Sequence, residues 1–270
     1  MESFFQNVTR FYFGASYAVA LVLELLQTLR PRALTRWAGL IFGAAGLLAH
    51  TLFLLFQRPP VATPSGSLLV LAWVVAVFYL YGALHHRRQA WAVFVLPIVL
   101  IIVIISGAYP TASSETPQWF TGDNFWGAIH GSLLLLAAIG VSVACVASVM
   151  YLVQARRLKS KAAPGKGLRL PSLERLAQMN RRAIVWAFPL LTAGLLLGVI
   201  LLLQHPEKQS WTAPKVLGTA GLWLAFLVLI YLRYFADSSN RRLAVFTIAA
   251  FGLMLVTLAA SHPVATGGGP

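Results

Sequence analysis

The chain of 270 residues is 59% hydrophobic and 10% charged, and its formal net charge is +14. Soluble domains carry about 25% charged residues, so this composition excludes a soluble globular protein and favours one that uses lipid as its solvent. The positive charge does not indicate a nucleic-acid partner, because no soluble basic surface remains to bind one. The single cysteine, Cys145, excludes an internal disulfide and chemistry that needs two thiols.

Eight apolar segments are long enough to cross a bilayer, which takes about 20 residues for a hydrocarbon core about 30 Å thick. They follow one another with no soluble module between them, so we expect one membrane domain over residues 1–270. The predicted fold class is an all-α polytopic bundle of about eight transmembrane helices. In chain order the segments are Phe11–Leu29, Trp37–Phe56, Ser67–Leu84, Trp91–Ser106, Trp126–Gln154, Ala183–Leu203, Val216–Arg233 and Leu243–Ser261.

The basic residues predict the orientation of this bundle. Of the 21 Lys and Arg residues, 17 lie in alternate connections, at 30–36, 87–88, 156–182 and 233–242. Such connections face the cytoplasm, so both termini are predicted to lie outside, in a multi-pass protein of the inner cell membrane. The cytoplasmic stretch Leu158–Arg182 also predicts a short amphipathic helix with Ser172 as its N-cap.

Four of the six histidines lie toward the predicted outer face. His50 is in the second segment, His130 begins the fifth, His205 follows the sixth and His262 closes the eighth. Neutral imidazole is a ligand of haem iron, and an ionisable group at membrane depth usually faces a cavity or a partner. A histidine at a helix end also simply occupies the interface, so the residues alone leave both interpretations open. Trp126, one turn before His130, could line a flat ligand or belong to the aromatic belt of the interface.

Motifs of soluble enzymes are absent from the sequence. It has no P-loop, no dinucleotide-binding glycine pattern, no H-E-x-x-H and no G-x-S-x-G. We therefore identify no catalytic residue and do not expect an enzyme that acts alone.

The second half of the chain carries a more specific pattern. The run YLVQ at 151–154 is followed by RLKSK at 157–161 and LPSLERL at 170–176, and WTAPK at 211–215 follows the sixth segment. This order resembles the cytochrome c assembly protein family, the haem-handling membrane proteins of the CcsA, CcmC and HemX-like type, over about residues 126–262.

The resemblance implies a haem-handling subunit of a cytochrome c maturation system, which binds or presents haem at the outer membrane face for attachment to apocytochrome c. By position, His130 and His262 match the family's axial ligands of a non-covalent haem b. His50 matches a histidine within the membrane helices and is predicted as a haem ligand at a second site. The resemblance also implies that the haem is lined by Trp126, Trp211, Pro214 and Lys215. The implied partners are apocytochrome c and a second maturation membrane protein, together forming a haem lyase complex.

Two alternatives stay open on the residues. A small-molecule transporter is consistent with prolines inside the fourth and sixth segments, Pro97 and Pro189. An assembly factor that does not bind haem is suggested by Ala213, which stands where the family has an aspartate, and by the lack of further tryptophans at Gln204–Ser210.

Overall fold

The computed structural model describes residues 9–60, 63–85, 90–109, 123–160, 168–204, 210–236 and 238–259. Seven helices in these ranges are long and apolar enough to cross a membrane, and an eighth is apolar but shorter. This confirms an all-α, multi-pass membrane protein whose environment is a lipid bilayer. In chain order the helices are α1 (Arg10–Leu29), α2 (Ala33–Gln57), α3 (Pro64–His85), α4 (Ala92–Gly107), α5 (Asp123–Lys159), α6 (Leu173–Gln204), α7 (Pro214–Tyr234) and α8 (Asn240–Ala259).

The helices pack as two groups of four. Successive helices pair as α1 with α2, α3 with α4, α5 with α6, and α7 with α8. Within the groups, α1 also packs on α4 and α5 on α8. The two groups meet where α3 and α4 contact α5 and α8. Residues on α2 and residues on α6 and α7 therefore belong to different groups.

The short helix α4 lies among other helices and is completed by an arginine. Its 16 residues extend about 24 Å, less than the hydrocarbon thickness. The Arg10 guanidinium donates to the carbonyl oxygens of Ser106 at 2.5 Å and Tyr109 at 3.0 Å, and to Ser65 Oγ at 2.8 Å. The last carbonyls of a helix have no partner within it, and lipid offers no donor. Arg10 thus satisfies the end of α4 and joins it to α1 and α3.

The helices α5 and α6 are longer than the sequence predicted. They contain 37 and 32 residues, and both extend beyond the predicted span at the loop between them. The predicted N-cap is confirmed, since the Arg175 N–H donates to Ser172 Oγ at 3.3 Å. The helix it begins is not a separate short one, however. No glycine or proline interrupts residues 173–188, so it continues directly into the sixth span.

Glycines bring α2 into close contact with both of its neighbours. A Cβ atom at Gly46 would lie 2.9 Å from the Tyr17 ring of α1, and one at Gly43 would overlap the Tyr79 hydroxyl of α3. Small residues at helix interfaces in membranes allow this kind of approach. The two tyrosines are fully buried against α2 as a result.

Candidate functional site

The His130 imidazole is held by a backbone carbonyl of the neighbouring helix. His130 is half-buried near the start of α5, and its Nδ1 lies 2.8 Å from the carbonyl oxygen of Gly194 on α6. A carbonyl oxygen only accepts, so Nδ1 carries the proton and donates it. The lone pair of the neutral ring is then on Nε2. Histidines that bind metals typically have this arrangement, with the second ring nitrogen fixed by a carbonyl or carboxylate.

A second glycine of α6 makes room for this ring. A Cβ atom at Gly198 would lie 2.7 Å from His130 Cε1 and 3.2 Å from Nδ1. Gly198 is one turn after Gly194, so the two glycines share a face of α6. The imidazole lies on that face, and any side chain at Gly198 would displace it. His130 was a candidate from the sequence, but nothing in the sequence indicated these contacts with residues more than 60 positions away.

Lys215 brings a cation to the same place from α7. Pro214 is at the N-terminus of α7, where a missing N–H costs nothing, and the N-cap Ala213 makes no side-chain hydrogen bond. Lys215 follows in the first turn, half-buried, and its positive charge acts on the His130 imidazole. The structure thus places two of the predicted site residues, His130 and Lys215, at the same end of the bundle.

The two predicted tryptophans lie near this pair with much of their surface uncovered. Trp126 is one turn before His130 on α5, and Trp211 is four residues before Lys215. Each is 52% exposed. Their exposed rings can contact lipid, as residues of an aromatic belt do, or a flat ligand such as haem.

His50 lies in the other helix group and is fully packed. Its ring is parallel to Phe13 at 4.1 Å between centroids, and its Nδ1 lies 3.4 Å from the Tyr17 hydroxyl. The ring has no exposed surface, although Nε2 has no hydrogen-bond partner. A macrocycle does not fit beside His50 in this packing. The structure does not bring His50 and His130 together.

His262 and His205 lie outside the described residues, but α8 ends three residues before His262. The carbonyl oxygen of Ala259 accepts a hydrogen bond from the Tyr109 hydroxyl at 2.6 Å. Two residues earlier on α8, Thr257 packs against Gly218, where a Cβ would be 2.6 Å from its Oγ1. Gly218 is three residues after Lys215, so α8 ends at the same end of the bundle as His130.

The sequence did not predict a polar cluster that lies at the opposite end of the helix group α5–α8. The amide Nδ2 of Asn180, which is buried, lies 3.2 Å from Ala144 O, 2.8 Å from Ser148 Oγ and 3.2 Å from Thr247 Oγ1. Its Oδ1 accepts from the Arg233 guanidinium at 2.7 Å. The cluster joins α5, α6, α7 and α8 and is a structural element, because its donors and acceptors are directed at one another.

Among the residues that the structure describes, no three side chains of His, Cys, Asp or Glu are grouped as a metal site. The candidate site is therefore a single imidazole, His130, at the end of the bundle where Lys215 begins α7. A metal held here needs its other ligands from a macrocycle or from residues outside the described ranges.

Comparisons with known proteins identify a family and a relative of this chain. The family described as "Cytochrome C assembly protein" matches residues 61–261. Protein HemX of Bacillus subtilis (strain 168) is 26% identical over 201 residues, which are 74% of this chain and 72% of HemX. No solved structure matches the chain. The family match extends from just before α3 to just after the end of α8, so it starts earlier than the resemblance at 126–262 and leaves α1 and α2 before it.

Proposed function

Because the chain belongs to the cytochrome c assembly protein family and so has a role in cytochrome c assembly, we propose that it binds haem at the outer face of the inner membrane and presents it for attachment to apocytochrome c. The observation that most supports haem binding is the tautomer of His130. Its Nδ1–H donates to the Gly194 carbonyl, so Nε2 keeps its lone pair. Nε2 is the atom that would bind the iron of a non-covalent haem b.

The residues around His130 fit such a ligand. Lys215 offers a cation to a haem propionate, which is an anion, and a charge-assisted contact of this kind is stronger than a neutral one. Trp126 and Trp211 offer exposed flat rings to the porphyrin. His262 is proposed as the second axial ligand, since α8 ends at the His130 end of the bundle. His50 is not part of the proposed site, because its close packing leaves no space for a haem.

Haem supplies the vinyl groups to which the cysteines of an apocytochrome are joined. The sulfur atoms of those bonds come from the apocytochrome, and the one cysteine of this chain, Cys145, is free and buried in the core. The chain's own residues bind and orient the haem and hold His130 in one tautomer. Thioether formation is therefore assigned to apocytochrome c and a second maturation membrane protein, in a haem lyase complex of which this chain is one part.

The rival interpretation is an assembly factor that does not bind haem. It is favoured by Ala213, which leaves the N-terminus of α7 without a side-chain cap where the family has an aspartate. A transporter has less support, because Pro97 and Pro189 lie within continuous helices α4 and α6 rather than at a break.

The visible absorption spectrum of the purified protein tests the proposal. We expect a Soret band in protein from haem-replete cells, and its loss in His130→Ala and in His262→Ala. His85→Ala is the matched control, since His85 is exposed at the other end of the bundle and contacts the Tyr81 carbonyl. Colourless wild-type protein that still copurifies with a membrane partner would establish the rival interpretation, and a band that survives both substitutions would contradict the assigned ligands.

A further inference from the structure

A groove of about 410 Å³ lies at the opposite end of the bundle from His130, between α3, α4, α5 and α6. One edge is fixed by the backbone, because the Ala90 N–H donates to the Arg169 carbonyl at 3.0 Å. This bond joins the segment before α6 to the segment before α4. The groove is therefore a formed feature of the fold, and it is unrelated to the proposed haem site.

One wall of the groove is polar and positively charged. Arg175, Gln178 and Arg182 line it and follow one another on α6 at positions i, i+3 and i+7, which lie on one helix face. All three side chains are exposed. Neither guanidinium forms an ion pair with any residue that the structure describes. Two cations thus share one wall without a carboxylate between them.

The remaining wall is aromatic and opens toward lipid. Trp91 is buried at the base, Tyr81 is 55% exposed, and Trp186 is 73% exposed. Trp186 is one turn beyond Arg182, on the part of α6 that enters the membrane. Tryptophan and tyrosine favour the boundary between headgroups and hydrocarbon, so the groove crosses that boundary.

We propose that this groove binds an anionic phospholipid of the cytoplasmic leaflet, with its phosphate between Arg175 and Arg182 and an acyl chain along Trp186. The two guanidinium groups complement the negative headgroup, and the aromatic wall complements the chain. A free soluble anion would satisfy the arginines but would leave the aromatic wall uncovered. The many basic residues of the neighbouring connections predict that this end lies in the cytoplasmic leaflet, where basic pockets between transmembrane helices bind anionic headgroups.

Native mass spectrometry of the purified full-length chain tests this with phosphatidylglycerol and with phosphatidylcholine of the same acyl chains. We expect the wild-type protein to retain phosphatidylglycerol preferentially. Each arginine near an anionic headgroup contributes about fivefold in affinity, so Arg175→Gln with Arg182→Gln should lower retention about 25-fold. The lysine versions, Arg175→Lys with Arg182→Lys, keep the charge and should retain most of the lipid.

The matched control removes two charges elsewhere at the same end. Arg156 and Arg241 are exposed and lie outside the groove, so Arg156→Gln with Arg241→Gln should leave the bound phosphatidylglycerol unchanged. An equal loss in this control, or unchanged retention in the groove variant, overturns the site. A thermal shift produced equally by glycerol phosphate and by phosphatidylglycerol overturns the lipid as its occupant.

Discussion

The backbone of α6 controls the orientation of the His130 ring. The Gly194 carbonyl fixes the tautomer, and the bare Cα of Gly198 gives the ring a surface on which to lie. Since a carbonyl cannot be removed by substitution, the glycine is the position through which this arrangement can be tested.

We expect Gly198→Ala to displace the His130 ring, because the new methyl group would lie 2.7 Å from Cε1. Overpacking of this kind costs about 1–3 kcal/mol, and a loss of this size in haem affinity would be about 5- to 140-fold, since each 1.4 kcal/mol is one decade. Haem titration and thermal unfolding measure the two effects.

Gly131→Ala on α5 is the matched control, because no atom lies within 4 Å of its added Cβ. Alanine in a helix is favoured over glycine by about 0.5–1 kcal/mol, so this variant should be slightly more stable with unchanged haem binding. Equal haem binding by the two variants would show that Gly198 does not position His130.

The sequence predicted His130 as a candidate from its position at a helix end, and it predicted Lys215 only through the resemblance of the WTAPK segment at 211–215 to the family. It did not predict Gly194 and Gly198 as their support, nor the stacking of His50 on Phe13. Those contacts depend on how each helix is rotated against its neighbour. Composition does not determine that rotation, since lipid and protein interior are equally apolar.

At the scale of helices, the sequence predicted the number of elements correctly and two of their lengths poorly. A span is recognised by its apolar run, and the run ends where α5 and α6 leave the bilayer. The helices themselves continue to Lys159 and begin at Leu173, because charged residues such as Arg156 and Arg175 are good helix formers. The polar cluster around Asn180 lies on this extended part of α6, which explains why no membrane span predicted it.

We expect Asn180→Ala to destabilise the group α5–α8 by about 3 kcal/mol. It removes hydrogen bonds between helices worth about 0.6 kcal/mol each and the charge-assisted bond to Arg233, worth about 1.5 kcal/mol or more. Thermal unfolding in detergent should show the loss. Gln178→Ala deletes an exposed amide two residues earlier and should change the stability by less than about 0.5 kcal/mol; equal effects from both would assign Asn180 no special role.

At the scale of the molecule, the division into two groups of four does not coincide with the family match. The matched residues 61–261 contain α3 to α8, so α1 and α2 pack onto that six-helix unit from the side of α3 and α4. The orientation of the whole bundle remains a prediction from its basic residues.

Single cysteines at exposed positions test the orientation. We expect a membrane-impermeant maleimide to label Ser210→Cys in intact cells and to label Ser160→Cys only after permeabilisation, because the two serines lie at opposite ends of the bundle and both are exposed. Cys145 is 3% exposed and should stay unlabelled in both cases. The reverse pattern would place the His130 end in the cytoplasm and remove the basis for an outer haem site.

The contacts of Arg10 have a consequence for any shortened form of this protein. One side chain supplies the donors for the carbonyl groups of Ser106 and Tyr109, which are 96 and 99 positions away along the chain. Removing Arg10 would leave the Tyr109 carbonyl without this donor and would leave the Ser106 carbonyl with only the Tyr109 N–H at 3.3 Å. A form restricted to the matched residues 61–261 would lack the same donor, so we expect its α4 to be less stable unless a replacement donor is placed near Ser65.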